Sequence, residues 1–264
     1  MVHQITAEAI QKAMESPIAV EVLESVDSTN TEAKRRISAG LTAPLLLLAK
    51  AQTAGRGRLG RAFCSPQGAG LYMSLVLHPN CPPSQVISIT SAAAVAVALA
   101  IEDLTHLRPQ IKWVNDVYIG DKKVCGILTE GVTDPQSGLL QSIVVGIGIN
   151  CTPAAFPSDV AAIATSLAGE GAAVEPNHLA AAVCDRLWQL YKELSTKTWL
   201  PLYRERSWLD GREVVYRTGD TLRKGTVLGI GEEGELLLST EAGDVELSTG
   251  EVSVRPIERA EELF

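Results

Sequence analysis

Between Gln110 and Asn150, three apolar segments of strand length follow one another: QIKWVNDVYIG, KKVCGILTEG and QSIVVGIGIN. Only the short polar turns around GDK and TDPQSG separate them. A parallel partner needs a crossover of about a dozen residues or more, and none is available here. The segments must therefore pair as antiparallel neighbours. Just upstream, PSQVISITSAAAVAVALAIEDL reads as a long helix that is apolar nearly all round. Such a helix is stable only when buried, and the sheet is the surface available to bury it. The expected fold class is α+β: a mixed, largely antiparallel sheet covered by helices.

Other segments complete this reading. IAVEVLESV, PLLLLAKAQ and GLYMSLVLH are predicted strands, and TAEAIQKAMES a short helix capped by threonine and ended before Pro17. DSTNTEAKRRISAG has the grammar of a helix, with Ser28, Thr29 and Asn30 able to cap it and Gly40 to stop it. Two helices over about 176–195 and 198–209 close the large domain. After Gly211 the composition shifts to short strands separated by Gly-Asp and Glu-Glu-Gly turns, which predicts a small β-barrel. We divide the chain into 1–210 and 211–264.

The formal charge of −8 and a pI near 5.1 argue against bulk nucleic-acid binding. No run of about 18 apolar residues predicts a membrane span, and MVHQITAEAIQ lacks the form of a secretory signal. Cys64, Cys81, Cys125, Cys151 and Cys184 are odd in number, dispersed and never in a CxxC pair. That usage fits a reducing cytoplasm with thiols as small apolar side chains, rather than a zinc site.

Against this acidic background, TAGRGRLGR (53–61) places three arginines and three glycines in nine positions. Gly55, Gly57 and Gly60 let the backbone come close to a ligand and turn N–H groups toward an anion. Arg56, Arg58 and Arg61 add planar donors suited to carboxylate or phosphate. A solvated basic loop is the equally weighted alternative, and no GK[ST] makes it a P-loop. If the loop is functional, mutual repulsion should keep it mobile until an anion arrives. In KKVCGILTEG, Lys122 and Lys123 are either solvated turn lysines or a cation over a pocket beside Gly126. In KWVND (112–116), Trp113 reads as core and Asn115 and Asp116 as a turn. Near a nucleotide the same pair could contact phosphate and help place Mg²⁺. Gly146 and Gly148 interrupt a buried strand, as glycines do where another group comes close.

DSTN (27–30), QTAGRGRLGR (52–61), KWVND (112–116), KKVCGIL (122–128), GIGIN (146–150) and GEVSVRP (250–256) occur together in an order and spacing that resembles the biotin–protein ligase family. The resemblance covers nearly the whole chain. It implies a class II synthetase-like ligase core followed by an SH3-like barrel. It also implies the activity: biotin and MgATP form biotinyl-5′-AMP, and the biotinyl group passes to a lysine of a biotin carboxyl carrier domain. By motif, Ser28, Thr29, Asn30, Gln52, Gly55, Arg56, Arg58, Lys123 and Gly126 would bind biotin. Arg56, Arg58, Arg61, Phe63, Asn115, Lys123 and Asn150 would bind ATP or the adenylate. Lys123 and Arg58 would be catalytic, and Asp116 could meet Mg²⁺.

Those residue types suit the chemistry. A carboxylate attacking a phosphate is a like-charge encounter worth about 4 kcal/mol of repulsion at ~4 Å and an effective dielectric of about 20. Lysine, arginine and Mg²⁺ can reverse that field. Two positions depart from the family pattern: Phe63 stands where tryptophan is more usual, and Val114 replaces a common proline. Phenylalanine keeps an aromatic face for adenine, and valine should keep the strand extended. With about 20 residues before the first strand, no helix-turn-helix is expected, so DNA is not an expected partner. An antiparallel sheet edge could support a homodimer. A lipoate or octanoate ligase or transferase of the same fold, and a non-enzymatic RNA-binding module, are the alternative readings.

Overall fold

The computed structural model describes residues 4–154, 156, 158–218, 221–248 and 253–257. The N-terminal helix α1 (Ala7–Ala13) is capped by Thr6, whose hydroxyl accepts from the Ala9 N–H, as the sequence predicts. Strand β1 (Ala19–Leu23) leads into helix α2 (Thr29–Ser38), then strand β2 (Leu45–Ala49), the arginine loop and strand β3 (Gly70–Leu77). Helix α3 (Val86–Leu104) precedes strands β4 (Pro109–Lys112), β5 (Asp116–Ile119), β6 (Lys122–Thr133) and β7 (Leu140–Asn150). Helices α4 (Ser158–Ala161), α5 (Pro176–Lys192) and α6 (Trp199–Glu205) follow.

The seven strands form one sheet in the order β1-β2-β3-β7-β6-β5-β4. Only β1 and β2 are parallel, with α2 as their crossover; every other pair is antiparallel. The fold is therefore α+β with a mixed, largely antiparallel sheet. One expected strand is corrected. QIKWVNDVYIG is not continuous: β4 and β5 pair as a hairpin, Lys112 opposite Asp116, with Trp113, Val114 and Asn115 in its turn. Val114 thus does not extend a strand. The turn carries a cis Trp113–Val114 peptide, and apolar periodicity could not distinguish a tight hairpin from one longer strand.

Strand alternation divides the sheet into two faces of different character. Leu46, Leu48, Leu71, Leu75, Val145, Ile147 and Ile149 face the main core, where α3 packs with α1, α5 and α6. Leu45, Leu47, Val76 and Val144 point the other way, into a smaller cluster with Ala33 and Ile37 of α2. Beyond that cluster the same face carries Ser74, Gly146, Gly148, Gly126 and Glu130, reached by Asn30 and Lys34 of α2 and by Phe63 after the arginine loop.

Helix α3 passes the length and hydropathy test for a membrane span, contrary to the expectation from apolar runs, yet 72% of that window is buried within the fold. Its alanines explain this. Residues Ala92 to Ala98 are all fully buried, and small side chains let the helix sit close to the sheet and to α5 and α6 on every side.

The C-terminal strands are β8 (Glu213–Thr218), β9 (Thr221–Ile230), β10 (Leu236–Thr240), β11 (Gly243–Leu247) and β12 (Ser253–Pro256). They form a five-stranded antiparallel sheet ordered β11-β10-β9-β8-β12. Among the described residues its edge strands β11 and β12 do not pair, so the predicted barrel takes the form of an open sheet. Gly250, Glu251 and Val252 of the terminal motif lie outside the described residues.

The dense packing of α3 yields a direct expectation. Ala96→Leu inserts a large side chain at a position with 0% exposure, which should cost about 1–3 kcal/mol by over-packing. A urea titration should show a lowered midpoint with an unchanged slope.

Candidate functional site

That face of the sheet becomes a site because glycines leave room there. Gly126 and Gly148 sit opposite each other on β6 and β7. A Cβ on Gly148 would lie 2.4 Å from Cε1 of Phe63, and one on Gly126 would lie 3.0 Å from Nζ of Lys123 and 3.2 Å from Phe63. A Cβ on Gly146 would fall 2.1 Å from Oδ1 of Asn30. The glycines read from the sequence as marking a close approach are thus filled by the Phe63 ring and the Asn30 amide.

Helix α2 delivers the first group of predicted residues. Ser28 occupies the N-cap position, but its side chain makes no capping bond. The Thr29 N–H and hydroxyl instead both donate to Oε1 of Gln52, at 2.8 and 3.1 Å. The Gln52 amide nitrogen donates to the Ser65 hydroxyl, which donates to the Phe63 carbonyl. Asn30 donates to the Leu128 carbonyl and to Glu130, and accepts from the Ser74 hydroxyl. The residues read as cap formers therefore fix the helix start to the arginine loop and to the sheet.

The loop has an internal frame that its composition did not indicate. The Gly57 N–H donates to the Arg61 carbonyl at 2.7 Å, and the Phe63 N–H donates to the Gly55 carbonyl at 2.9 Å. A Cβ on Gly55 would meet the Phe63 carbonyl oxygen at 2.3 Å, so Gly55 is required for the loop to close on itself. It borders neither of the two cavities described below. At the tip, Leu59 and Gly60 take positive φ angles of 56° and 72°, and Leu59 is exposed.

The loop's arginines take separate routes. Arg56 stays half-exposed and pairs with Glu130 at 3.2 Å. Glu130 also holds Lys34 and Asn30. Burial pushes the Glu130 carboxyl up, but Lys34, Asn30 and Arg56 outweigh this and hold it below the usual carboxylate range. Arg58 turns inward and donates to the Asn115 side chain, whose own amide nitrogen donates to the Ile127 carbonyl. Burial lowers the Arg58 pKa against the opposing pull of Asp116.

Lys123 pairs with Asp116 at 2.7 Å. Burial alone would raise the Asp116 pKa, yet Lys123, Lys112 and Arg58 together hold it below its ordinary value. Asn150 ends β7 and donates to the Thr165 carbonyl at 2.9 Å.

Two cavities meet across this arrangement. The smaller, about 50 Å³, is bordered by Ser28, Thr29, Asn30, Gln52, Arg56 and Gly126 among others. The larger, about 210 Å³, is bordered by Arg61, Asp116, Asn150 and the apolar Val160, Ile163 and Ala164. Gly57, Arg58, Phe63, Asn115 and Lys123 border both. Every predicted site residue except Gly55 thus borders one cavity or both.

Sequence reasoning missed Glu130, Ser65 and Lys112. Lys112 and Glu130 are charged residues inside otherwise apolar strands, and that is the signal that could have marked them. Nothing in the sequence distinguishes Ser65.

The fold and this double cavity define a class of protein: a mixed-sheet core in which a glycine-arginine loop lies over a cationic junction between two cavities. Residues 22–150 match the biotin/lipoate A/B protein ligase family, and residues 211–255 match the biotin protein ligase C terminal domain. The biotin--[acetyl-CoA-carboxylase] ligase of Paracoccus denitrificans is 33% identical over 242 residues, 88% of this chain and 98% of that protein. The bifunctional ligase/repressor BirA of Bacillus subtilis is 34% identical over 215 residues, 79% of this chain. The chain spans 66% of that protein's length, just under two thirds. The biotin protein ligase from Aquifex aeolicus in complex with biotin and ATP superposes with a TM-score of 0.78 at 30% identity, covering 90% of this chain and 98% of that one. The chain belongs to the biotin protein ligase family.

The Asp116–Lys123 pair makes a testable contribution to stability. Because the Asp116 pKa is depressed in the fold, its contribution is complete above the unfolded carboxylate value and is lost as pH falls through the lower folded value. About a fifth of its side chain (21%) still meets solvent, so Asp116→Asn should cost only ~1–2 kcal/mol at neutral pH. Urea unfolding of both proteins at pH ~7 and again at pH ~2.5 should show the difference closing at the acid end.

Proposed function

We propose that the protein is an ATP-dependent biotin ligase that forms biotinyl-5′-AMP and transfers the biotinyl group to a lysine of a biotin carboxyl carrier domain. The observation that carries this reading is the shared wall of the two cavities. A carboxylate reaching out of the smaller cavity and a triphosphate lying in the larger one meet at Lys123 and Arg58.

In this reading Ser28, Thr29 and Gln52 offer hydroxyl, N–H and amide groups to the ureido end of biotin, with Asn30 holding their helix to the sheet. Gly126 and Gly148 let the Phe63 ring lie against the sheet, and the ring and tail of biotin run beside it in the smaller cavity, which all three residues border. Phe63 and Gly57 separate this space from the nucleotide side. Asn115, Asn150 and Arg61 border the nucleotide space, and Mg²⁺ arrives with ATP as part of the substrate. Among the described residues Asp116 is the only carboxylate bordering that cavity, which makes it the side chain available to such an ion.

Before substrates bind, Lys123 is paired to Asp116 and Arg58 to Asn115. Binding exchanges these partners. The biotin carboxylate and the α-phosphate draw Lys123 and Arg58 toward the junction, and Asp116 is released toward Mg²⁺. The cations then stabilise the crowded phosphorus centre more than either ground-state anion. Transfer needs no protein nucleophile. The acceptor lysine attacks the mixed anhydride as a neutral amine, and AMP departs. Positioning and exclusion of water carry this second step.

Incubation with biotin, MgATP and a carrier domain, followed by a streptavidin blot, tests the activity; lipoylation without biotinylation in parallel reactions would refute it. Lys123→Ala should lower biotin-dependent diphosphate release by about 10²-fold or more, measured by a coupled diphosphate assay. Near-normal release would move the role to Lys122. Arg58→Gly should weaken retention of the adenylate more than its formation. Mass spectrometry should then find biotin on lysines of a bystander protein, which the parent enzyme leaves unmodified.

A further inference from the structure

The smaller cavity has a charged tie at its border that the reading above does not use. Of the two cavities, Arg56 borders the smaller one alone. It lies at the root of the arginine loop, between Gly55, whose carbonyl accepts from the Phe63 N–H, and Gly57, whose N–H donates to the Arg61 carbonyl. Its Nη1 lies 3.2 and 3.4 Å from the two carboxylate oxygens of Glu130. The same carboxylate takes the Asn30 amide at 2.9 Å and the Lys34 ammonium at 2.5 Å. Asn30 and Lys34 share one face of α2, a turn apart, so a single side chain of β6 joins that helix to the loop. Glu130 itself borders neither cavity. Its influence on a ligand must pass through the residues it holds.

We propose that Glu130 is a positioning residue: it holds Arg56, and with it the root of the arginine loop, at the border of the smaller cavity, and so governs retention of biotin and its adenylate. This rests on the ligase reading and deepens it at that cavity. The two backbone bonds around Arg56 shape the loop internally and do not fix its place on the sheet. Side chains do that, Arg58 through Asn115 and Arg56 through Glu130. Arg58 must exchange its partner when the anions arrive at the junction. Arg56 points to β6 beyond Leu128, away from Lys123, so its tie can persist while the ligands are bound. A loop with three glycines in nine positions has much chain entropy to lose on ordering. A tie already made in the free protein lowers that cost before the ligand binds. Without the Glu130 charge, Asn30 keeps its bonds to the Leu128 carbonyl and the Ser74 hydroxyl. Arg56 has no second such partner, since among the described residues Glu130 is the one side chain it bonds.

Glu130→Gln removes the charge but keeps the shape and an acceptor for Asn30. The Kd for biotin, measured by calorimetry without ATP, should rise about 5-fold, and biotinyl-5′-AMP should dissociate faster by a similar factor. The KM for ATP and the kcat of biotin-dependent diphosphate release should stay within about 1.5-fold of the parent. Glu130→Asp, which keeps the charge on a shorter stem, should recover part of the affinity. Because Glu130 acts through Arg56, the double variant with Arg56→Gln should bind biotin no more weakly than Arg56→Gln alone. Lys34→Gln removes the other cation on the same carboxylate and should leave the Kd within about 1.5-fold. A parental Kd in Glu130→Gln, additive losses in the double variant, or an equal loss in Lys34→Gln would overturn the assignment. If Glu130→Gln does not fold, Glu130→Asp takes its place in the cycle with Arg56→Gln, where the same lack of additivity is expected. A parent protein that neither binds biotin nor releases diphosphate with it refutes the ligase reading itself. A parent that does both, beside an indifferent Glu130→Gln, refutes only the role of Glu130.

Discussion

Gly126 and Gly148 face each other across two central strands, and this gap in an otherwise side-chain-covered sheet is the constraint on which the site depends. A strand interior made of glycine is weak by itself, since it loses packing and gains chain entropy to be ordered. Here the deficit is offset from the other face. Ile127, Ile147 and Ile149 of the same strands are almost fully buried against the main core. One face of β6 and β7 supplies stability and the other supplies space. The Phe63 ring, the Lys123 stem and the Asn30 amide all occupy positions that a single methyl group would contest.

Charge is handled by sharing few carboxylates among many cations. Glu130 gathers Lys34, Arg56 and the Asn30 amide, while Asp116 feels Lys123, Lys112 and Arg58. Among the described residues, Arg58, Arg61, Lys112 and Lys123 border the larger cavity with Asp116 as the one carboxylate beside them, so the described lining is strongly positive. Positive charge in a partly enclosed space favours a polyanion far more than the same charges would in open solvent. The protein's overall acidity does not weaken this field, because its remaining charges lie mostly on screened surface.

The two sheets are joined at the site rather than merely tethered. The Trp113 indole N–H donates to the Gly234 carbonyl in the turn between β9 and β10, and a Cβ on Gly234 would lie 2.9 Å from the Trp199 ring. Arg204 reinforces the contact by donating to the Ile230 carbonyl. The hairpin turn that carries Asn115 thus leans on the C-terminal sheet, and a disturbance there reaches the wall of the larger cavity through the Trp113 indole.

Much of this was legible in the sequence. The alternation of QSIVVGIGIN, the short turns around it and the all-apolar helix left few alternatives to a largely antiparallel sheet over a buried helix. The motifs collected the charged residues that border the cavities but not the apolar wall of Phe156, Val160, Ile163 and Ala164. What failed did so for identifiable reasons. KWVND has the apolar content of a strand, and only pairing between Lys112 and Asp116 makes it a hairpin turn. Gly55 reads as a ligand contact, and the structure adds a reason for glycine there that composition did not show, the loop's own return path. Ser28, Thr29 and Asn30 have the composition of a helix cap, yet Ser28 makes no capping bond and the Thr29 and Asn30 side chains serve Gln52 and the sheet, partners more than twenty residues away. Sequence by itself determined the strand periodicity, the buried helix and the set of charged residue types, because each is a local property of the chain. Only the tertiary structure decided which side chains lie against the sheet glycines, which arginine turns inward and which carboxylate each lysine shares, because those depend on register and burial set by distant segments.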